Sequence, residues 1–135
     1  MAMRTPVRTD VQVVNVDKTL RQRAVDSVTR AFLNDPMWRL VVPDRKARDR
    51  LLRPMWRALI DFSRVYGRAL TTPDGLGAAC WIAPGRTHTT IGQIVRTGFK
   101  LPLAMVRVPK DARDRFFRMM RFIDGQHREL VREPH

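Results

Sequence analysis

Apolar positions recur along this chain in two rhythms, and each change of rhythm falls at a recognisable stop signal. Leu20, Ala24, Val28, Ala31 and Phe32 stand at helical spacing, as do Ala47, Leu51, Met55, Ala58, Leu59, Phe62 and Tyr66. Each series predicts a helix with one apolar stripe, over residues 17–33 and 44–66. Asp17 and Asp44 sit where a carboxylate can accept from the free amides of a first turn. The first helix is expected to end at Asn34-Asp35-Pro36, because proline moves the residue before it away from helical angles. Pro54 lies inside the second helix and is expected to kink it near Arg50, with Gly67 as the stop. Its polar face falls to Arg45, Arg48, Arg50, Arg53, Arg57 and Arg64.

Shorter runs predict strands. Residues 11–16 (V-Q-V-V-N-V) are rich in β-branched side chains, and residues 68–72 read R-A-L-T-T. From Asp74 to Arg86 the chain reads D-G-L-G-A-A-C-W-I-A-P-G-R; its apolar part, 78–83, is bounded by glycine and Pro84-Gly85. Length and punctuation suit a strand buried on both faces, with Pro73-Asp74-Gly75 as a hairpin turn. Between the two helices, Met37 to Pro43 reads as an apolar loop. The expected fold is α+β, a small antiparallel sheet with flanking helices.

Two more helices are expected beyond Pro84. Gly92, Gly98 and Pro102 interrupt the first, 90–106. The second, 110–131, sets Phe116, Met119, Met120 and Ile123 on one face and Arg113, Arg115, Arg118 and Arg121 on another. Such a helix is expected to pack on the sheet, with an anionic membrane surface or a partner groove as the alternatives.

Composition narrows the class. The 135 residues are 44% hydrophobic, enough for one domain with a real core. Residues 1–10 read as a flexible start without the apolar stretch of a secretion signal. The basic breaks in 91–108 make it a poor membrane span. Cys80 is the single cysteine, which excludes an internal disulfide and suits a cytoplasmic setting; within its apolar run it reads as a small buried residue. The formal net charge is +13, and only Lys18, Lys46, Lys100 and Lys110 are lysine. Arginines spread over helix faces are first of all a solvated surface, though such a field also attracts nucleic acid.

Motif order adds a family resemblance. Ala31-Phe32, Asp35-Pro36, Pro43-Asp44, a basic helix, then Asp74-Gly75 through Pro84-Gly85 occur in the order A-F-x-x-D-P, P-D, D-G-x-G-A-A-x-W-x-x-P-G. This order resembles one branch of the GNAT superfamily of acetyl-CoA-dependent N-acetyltransferases, over roughly residues 10–135. The closing Arg132-Glu133-Pro134-His135 resembles the segment before that family's central strand. The resemblance implies the N-terminal, acceptor-side half of an acetyltransferase fold over 11–135, with the cofactor-binding half absent. It implies acetyl transfer to a small-molecule amine, and it makes Asp35, Trp38 and Arg39 candidates for lining the acceptor pocket. Packing by Trp38 between two helices is the competing reading.

The cofactor chemistry is what the sequence lacks. In the resembled family a Q/R-x-x-G-x-G/A turn brings backbone amides to the acetyl-CoA pyrophosphate at a helix start. Gly92, Gly98 and Gly125 are isolated, so no acetyl-CoA is expected to bind this chain alone. Tyr66 lies in the acceptor-side half and inherits no catalytic role. Neither common nucleotide loop is present, and His88, His127 and His135 lack metal-ligand spacing. Thr87, Thr89 and Thr90 flank His88 without a nearby acid, and Ser27 and Ser63 sit in predicted helices, not at a strained turn. His127 and Glu129 are proton carriers only if the fold puts them in a cleft. The expectation is a truncated acetyltransferase-like chain, inactive alone, that pairs through an exposed sheet edge as a homodimer or with a complementing chain. A basic nucleic-acid-binding module and a helix-mediated interaction protein are the alternatives.

Overall fold

A computed structural model describes residues 11–83, 92 and 105–130. The expected loose start, the hydroxyl group around His88, most of the 90–106 helix and the closing four residues lie outside them. The elements run β1 (Val14–Asn15), α1 (Leu20–Leu33), α2 (Pro36–Val41), α3 (Arg45–Tyr66), β2 (Gly67–Thr71), β3 (Ala79–Ile82) and α4 (Lys110–Leu130). The strands form one antiparallel sheet in the order β1-β2-β3. The fold is thus mixed helix and antiparallel sheet.

The 22-residue α3 belongs to two apolar clusters. Towards its start, Leu51 and Leu52 pack with Trp38, Val41, Val42, Val108, Ala112 and Phe116. Towards its end, Ile60 packs with Val16, Ala24, Val25 and Ala69, and half-buried Cys80 adds to that group. Leu51, Leu52, Ile60 and Val25 are sealed from solvent, each stabilising by about 1.5–3 kcal/mol. The outer sides of α1 and α3 are joined by charge. Asp61 accepts from Arg21 and Arg64 at 3.3 and 3.4 Å, and Arg53 pairs with Asp26 and Asp49. These partly exposed pairs fix the orientation of the two helices more than they stabilise them.

Several expectations change. The buried side of α1 is Ala24, Val25 and Thr29, while Ala31 is exposed. Thr29 enters the core because its hydroxyl donates to the Val25 carbonyl at 2.7 Å. Arg48 is not on the solvated face of α3; it is 3% exposed. The helix continues through Pro54 and ends at Gly67, whose amide donates to Ser63 O. Gly67 is needed there for room, since a Cβ would stand 1.9 Å from the Trp81 carbonyl oxygen across the ladder. The first strand keeps two of its six expected residues, paired with Thr71 and Leu70 of β2, and the Val16 amide continues the contact by donating to Ala69 O at 2.9 Å.

The hairpin forms where Pro73-Asp74-Gly75 places it: the Gly75 amide donates to Thr72 O at 2.9 Å, and Gly75 has φ +72°. Its bare Cα lies against α1, where a Cβ would meet Arg23 Cβ at 2.6 Å. The strand that follows is not buried on both faces. Residues of β3 alternate, Ala79 and Trp81 exposed and Cys80 and Ile82 half-buried, because helices cover one face of the sheet. Trp81 is 64% exposed. Finally, α4 packs on α2 and the start of α3 instead of on the sheet, with Phe116 stacked on Trp38 at 6.0 Å.

Candidate functional site

The segment expected as a loop is a six-residue helix, and two of the three candidate acceptor residues serve its construction. Asp35 is the N-cap of α2: Oδ1 accepts from the amides of Met37 and Trp38 at 2.9 and 3.2 Å, and Pro36 opens the first turn. Both bonds use Oδ1, which leaves Oδ2 without a partner among the described residues. Trp38 turns inward; 4% exposed, it stacks on Phe116 and shares the cluster of Val41, Leu51 and Leu52. Arg39 is exposed one helical turn after Asp35, and the two backbones are tied by the Arg39 amide donating to Asp35 O at 2.9 Å. Asp35 and Arg39 thus stand one helical turn apart along α2, Asp35 half-buried and Arg39 exposed, while Trp38 is buried.

What holds this corner together was hidden in the sequence. Arg48, on the first turns of α3, sends Nε to Leu33 O at 2.6 Å and Nη1 to Val42 O and Pro43 O at 2.6 and 3.0 Å. Arg115 of α4 adds Nε to Val41 O at 2.9 Å. The orphan carbonyls at the ends of α1 and α2 are thus capped by two guanidiniums, whose forked donors suit the task. Asp44 caps α3 in turn, accepting from Ala47 N at 2.6 Å.

An apolar cavity of about 370 Å³ lies elsewhere, between α1, α3 and β3. Val28, Phe32, Trp56, Leu59, Leu76 and Cys80 line it; Asp35, Trp38 and Arg39 do not. Burial pushes the Cys80 thiol up, and the nearby Ser63 hydroxyl offsets only part of that, so the group is a poor nucleophile at neutral pH. The Trp56 indole nitrogen is buried without a hydrogen-bond partner among the described residues, and the buried Ser63 hydroxyl has the Cys80 thiol as its neighbour.

Other chemistry is sparse among the described residues. No three His, Cys, Asp or Glu side chains come together as a metal site. Tyr66 packs on Phe62 with ring centres 4.8 Å apart. His127 and Glu129 lie exposed on the last turns of α4. The described residues do not fit the acetyl-CoA pyrophosphate: Asp35 and Asp44 already occupy the starts of α2 and α3, and Gly75 is committed to the hairpin on α1. Comparisons with protein-family models, curated proteins and solved structures give no match.

Proposed function

We propose that this chain supplies the acceptor side of an N-acetyltransferase-like unit, with the acetyl-CoA-binding portion provided by polypeptide that adds to the sheet at β3. The observation that carries the reading is the sheet order, in which β3 is an edge. No strand beyond β3 occurs among the described residues, and the outward amides and carbonyls of 79–82 suit a further strand. The motif order from Ala31 to Gly85 supports the same reading by resemblance.

On this reading Asp35 and Arg39 meet the acceptor together. Asp35 Oδ2 takes a hydrogen bond from the amine, and the Arg39 guanidinium takes an anionic group on the same molecule. An amine that also carries a carboxylate is therefore the favoured substrate class. The contribution to rate is positioning, since holding an amine in line with a thioester replaces a bimolecular encounter.

Thermal melts test this directly. Small amino acids and peptides are expected to raise the transition of the chain in a concentration-dependent way, and Arg39→Ala should remove the rise. Acetyl-CoA alone should leave the transition in place, and no thiol should be released from acetyl-CoA in the presence of an amine. Acetyl transfer by the chain alone would overturn the proposal, as would amine stabilisation that Arg39→Ala leaves intact.

A further inference from the structure

The outer side of α3 carries a ladder of positive charge that the fold does not call for. Lys46, Arg50, Arg53, Arg57 and Arg64 follow one another at steps of three, four or seven residues. At about 100° per residue they fall within an arc of roughly 60°, and at about 1.5 Å per residue the run is about 27 Å long. The residues on that arc are all cations. Bonds between α1 and α3 join Gln22 to Arg57, Asp26 to Arg53 and Leu33 to Arg48, so the two helices run antiparallel. Arg30, one turn beyond Asp26, therefore comes level with the turn of Arg50 and adds another cation beside the ladder.

Only part of this charge is answered. Asp26 and Asp49 hold Arg53, and Asp61 holds Arg64 together with Arg21. Arg57 donates to the neutral Gln22. Lys46, Arg50 and Arg30 are exposed and have no carboxylate partner among the described residues. Like charges three and four residues apart repel along a helix, so Lys46, Arg50 and Arg53 work against α3. Capping does not use them either, since Asp44 and Gly67 close the two ends.

The shape of the ladder selects its partner. A straight, rigid line of cations suits a linear polyanion that is itself stiff and evenly charged, because neither has to be ordered on binding. Duplex nucleic acid carries a charge about every 1.7 Å and is stiff over many times the length of this helix. An acidic disordered peptide would lose its chain freedom on the ladder. An anionic lipid surface calls for apolar side chains beside the cations, and the arc offers none. Without aromatic or amide side chains on the arc, the contacts are to phosphates and carry no sequence information.

We propose that the outer ridge of α3, with Arg30 of α1, binds the phosphate backbone of duplex nucleic acid without regard to sequence. The inference is independent of the acetyl-transfer reading, which rests on the sheet edge and on α2.

Fluorescence anisotropy with a labelled duplex of mixed sequence, about 16 base pairs long and so twice the ladder, tests it. Four open cations (Arg30, Lys46, Arg50 and Arg57) should give a slope of log K against log salt of roughly −3 to −4, or about a hundredfold loss between about 50 and 200 mM. Lys46→Gln with Arg50→Gln should flatten that slope by about two. Both side chains are exposed and unpaired, so the melting transition of this variant should match that of the parent. Arg118→Gln with Arg121→Gln removes the same charge from the exposed side of α4 and should leave the slope in place. Absence of binding at about 50 mM salt overturns the proposal. So does an equal loss in the two double variants, since the field of the whole chain would then suffice. Displacement of the duplex by poly-glutamate at equal charge concentration assigns the ridge to an acidic polypeptide and also overturns it.

Discussion

Replacing Arg48 tests whether the corner that carries Asp35 and Arg39 is held by a buried cation. Arg48→Met keeps much of the side-chain volume and removes three donors. The Val42 carbonyl it leaves is buried, at a cost of about 1–3 kcal/mol, while those of Leu33 and Pro43 are partly reachable by water and should cost less, about 0.5–1 kcal/mol each. Loss of a desolvated charge from a chain already at +13 works the other way. The expected net loss is about 3 kcal/mol, or roughly 10 °C in the melting transition for a domain of this size. Arg48→Lys keeps the charge but offers one compact ammonium in place of a fork, so it should recover about half of that loss. Urea unfolding of the three proteins, read as midpoint at constant slope, measures both numbers. If Arg48→Met stays within about 1 kcal/mol of the parent, these carbonyls are not held by Arg48 in any energetically meaningful sense. If Arg48→Lys falls as far as Arg48→Met, charge and partial donor recovery contribute nothing.

Three further outcomes are expected. Gly67→Ala must push β2 away from β3, because its methyl would overlap the Trp81 carbonyl; a loss of about 2–3 kcal/mol is expected, with amide exchange accelerated first in residues 79–82. Trp56→Phe deletes a buried donor that has no partner among the described residues while keeping a ring against Phe32, so it should stay within about 1 kcal/mol of the parent, whereas Trp56→Ala should lose about 3 kcal/mol. The Leu20 amide, first, and the Thr19 hydroxyl hold Asp17 below its ordinary value of 3.8. The unfolded chain therefore binds the proton more readily, so this contribution is complete above that value and lost as pH falls through the folded one. Melts of the parent and of Asp17→Ala should accordingly differ most above the ordinary value of 3.8 and draw together as pH falls below it.

Several elements were legible because a single residue type announced them. Asp44 reads as a cap and is one; the hairpin at Pro73-Asp74-Gly75 forms because a positive φ at Gly75 costs little. Elsewhere a local rule met a demand set by tertiary structure. Arg48 looks like one more surface arginine, since nothing in its neighbourhood tells that three carbonyls from another corner converge on it. Thr29 counts as polar in any periodicity, and only its return bond to Val25 O makes it a core residue. The helix at α2 is too short to show a period; its signal was the Asp35-Pro36 pair, a cap followed by the residue best suited to a first turn. For β3, apolar composition could not say how many faces the fold would cover. At the candidate site, Asp35 is the cap of α2, Arg39 is exposed one turn further on, and Trp38 is committed to the core.

The placement of α3 across two apolar clusters bears on how this protein comes apart. Among the described residues, α2 and α4 bury their side chains at the start of α3, and the sheet and much of α1 bury theirs towards its end. Leu52 and Ile60 are the hinge points of that division, about two turns apart on one continuous rod. Opening at the α2–α4 end removes one cluster yet leaves the sheet's own support in place, so the candidate acceptor face can melt as a subunit of stability smaller than the whole. Native-state exchange should then show two protection levels, with the amides of the second half of α3 in the slower class.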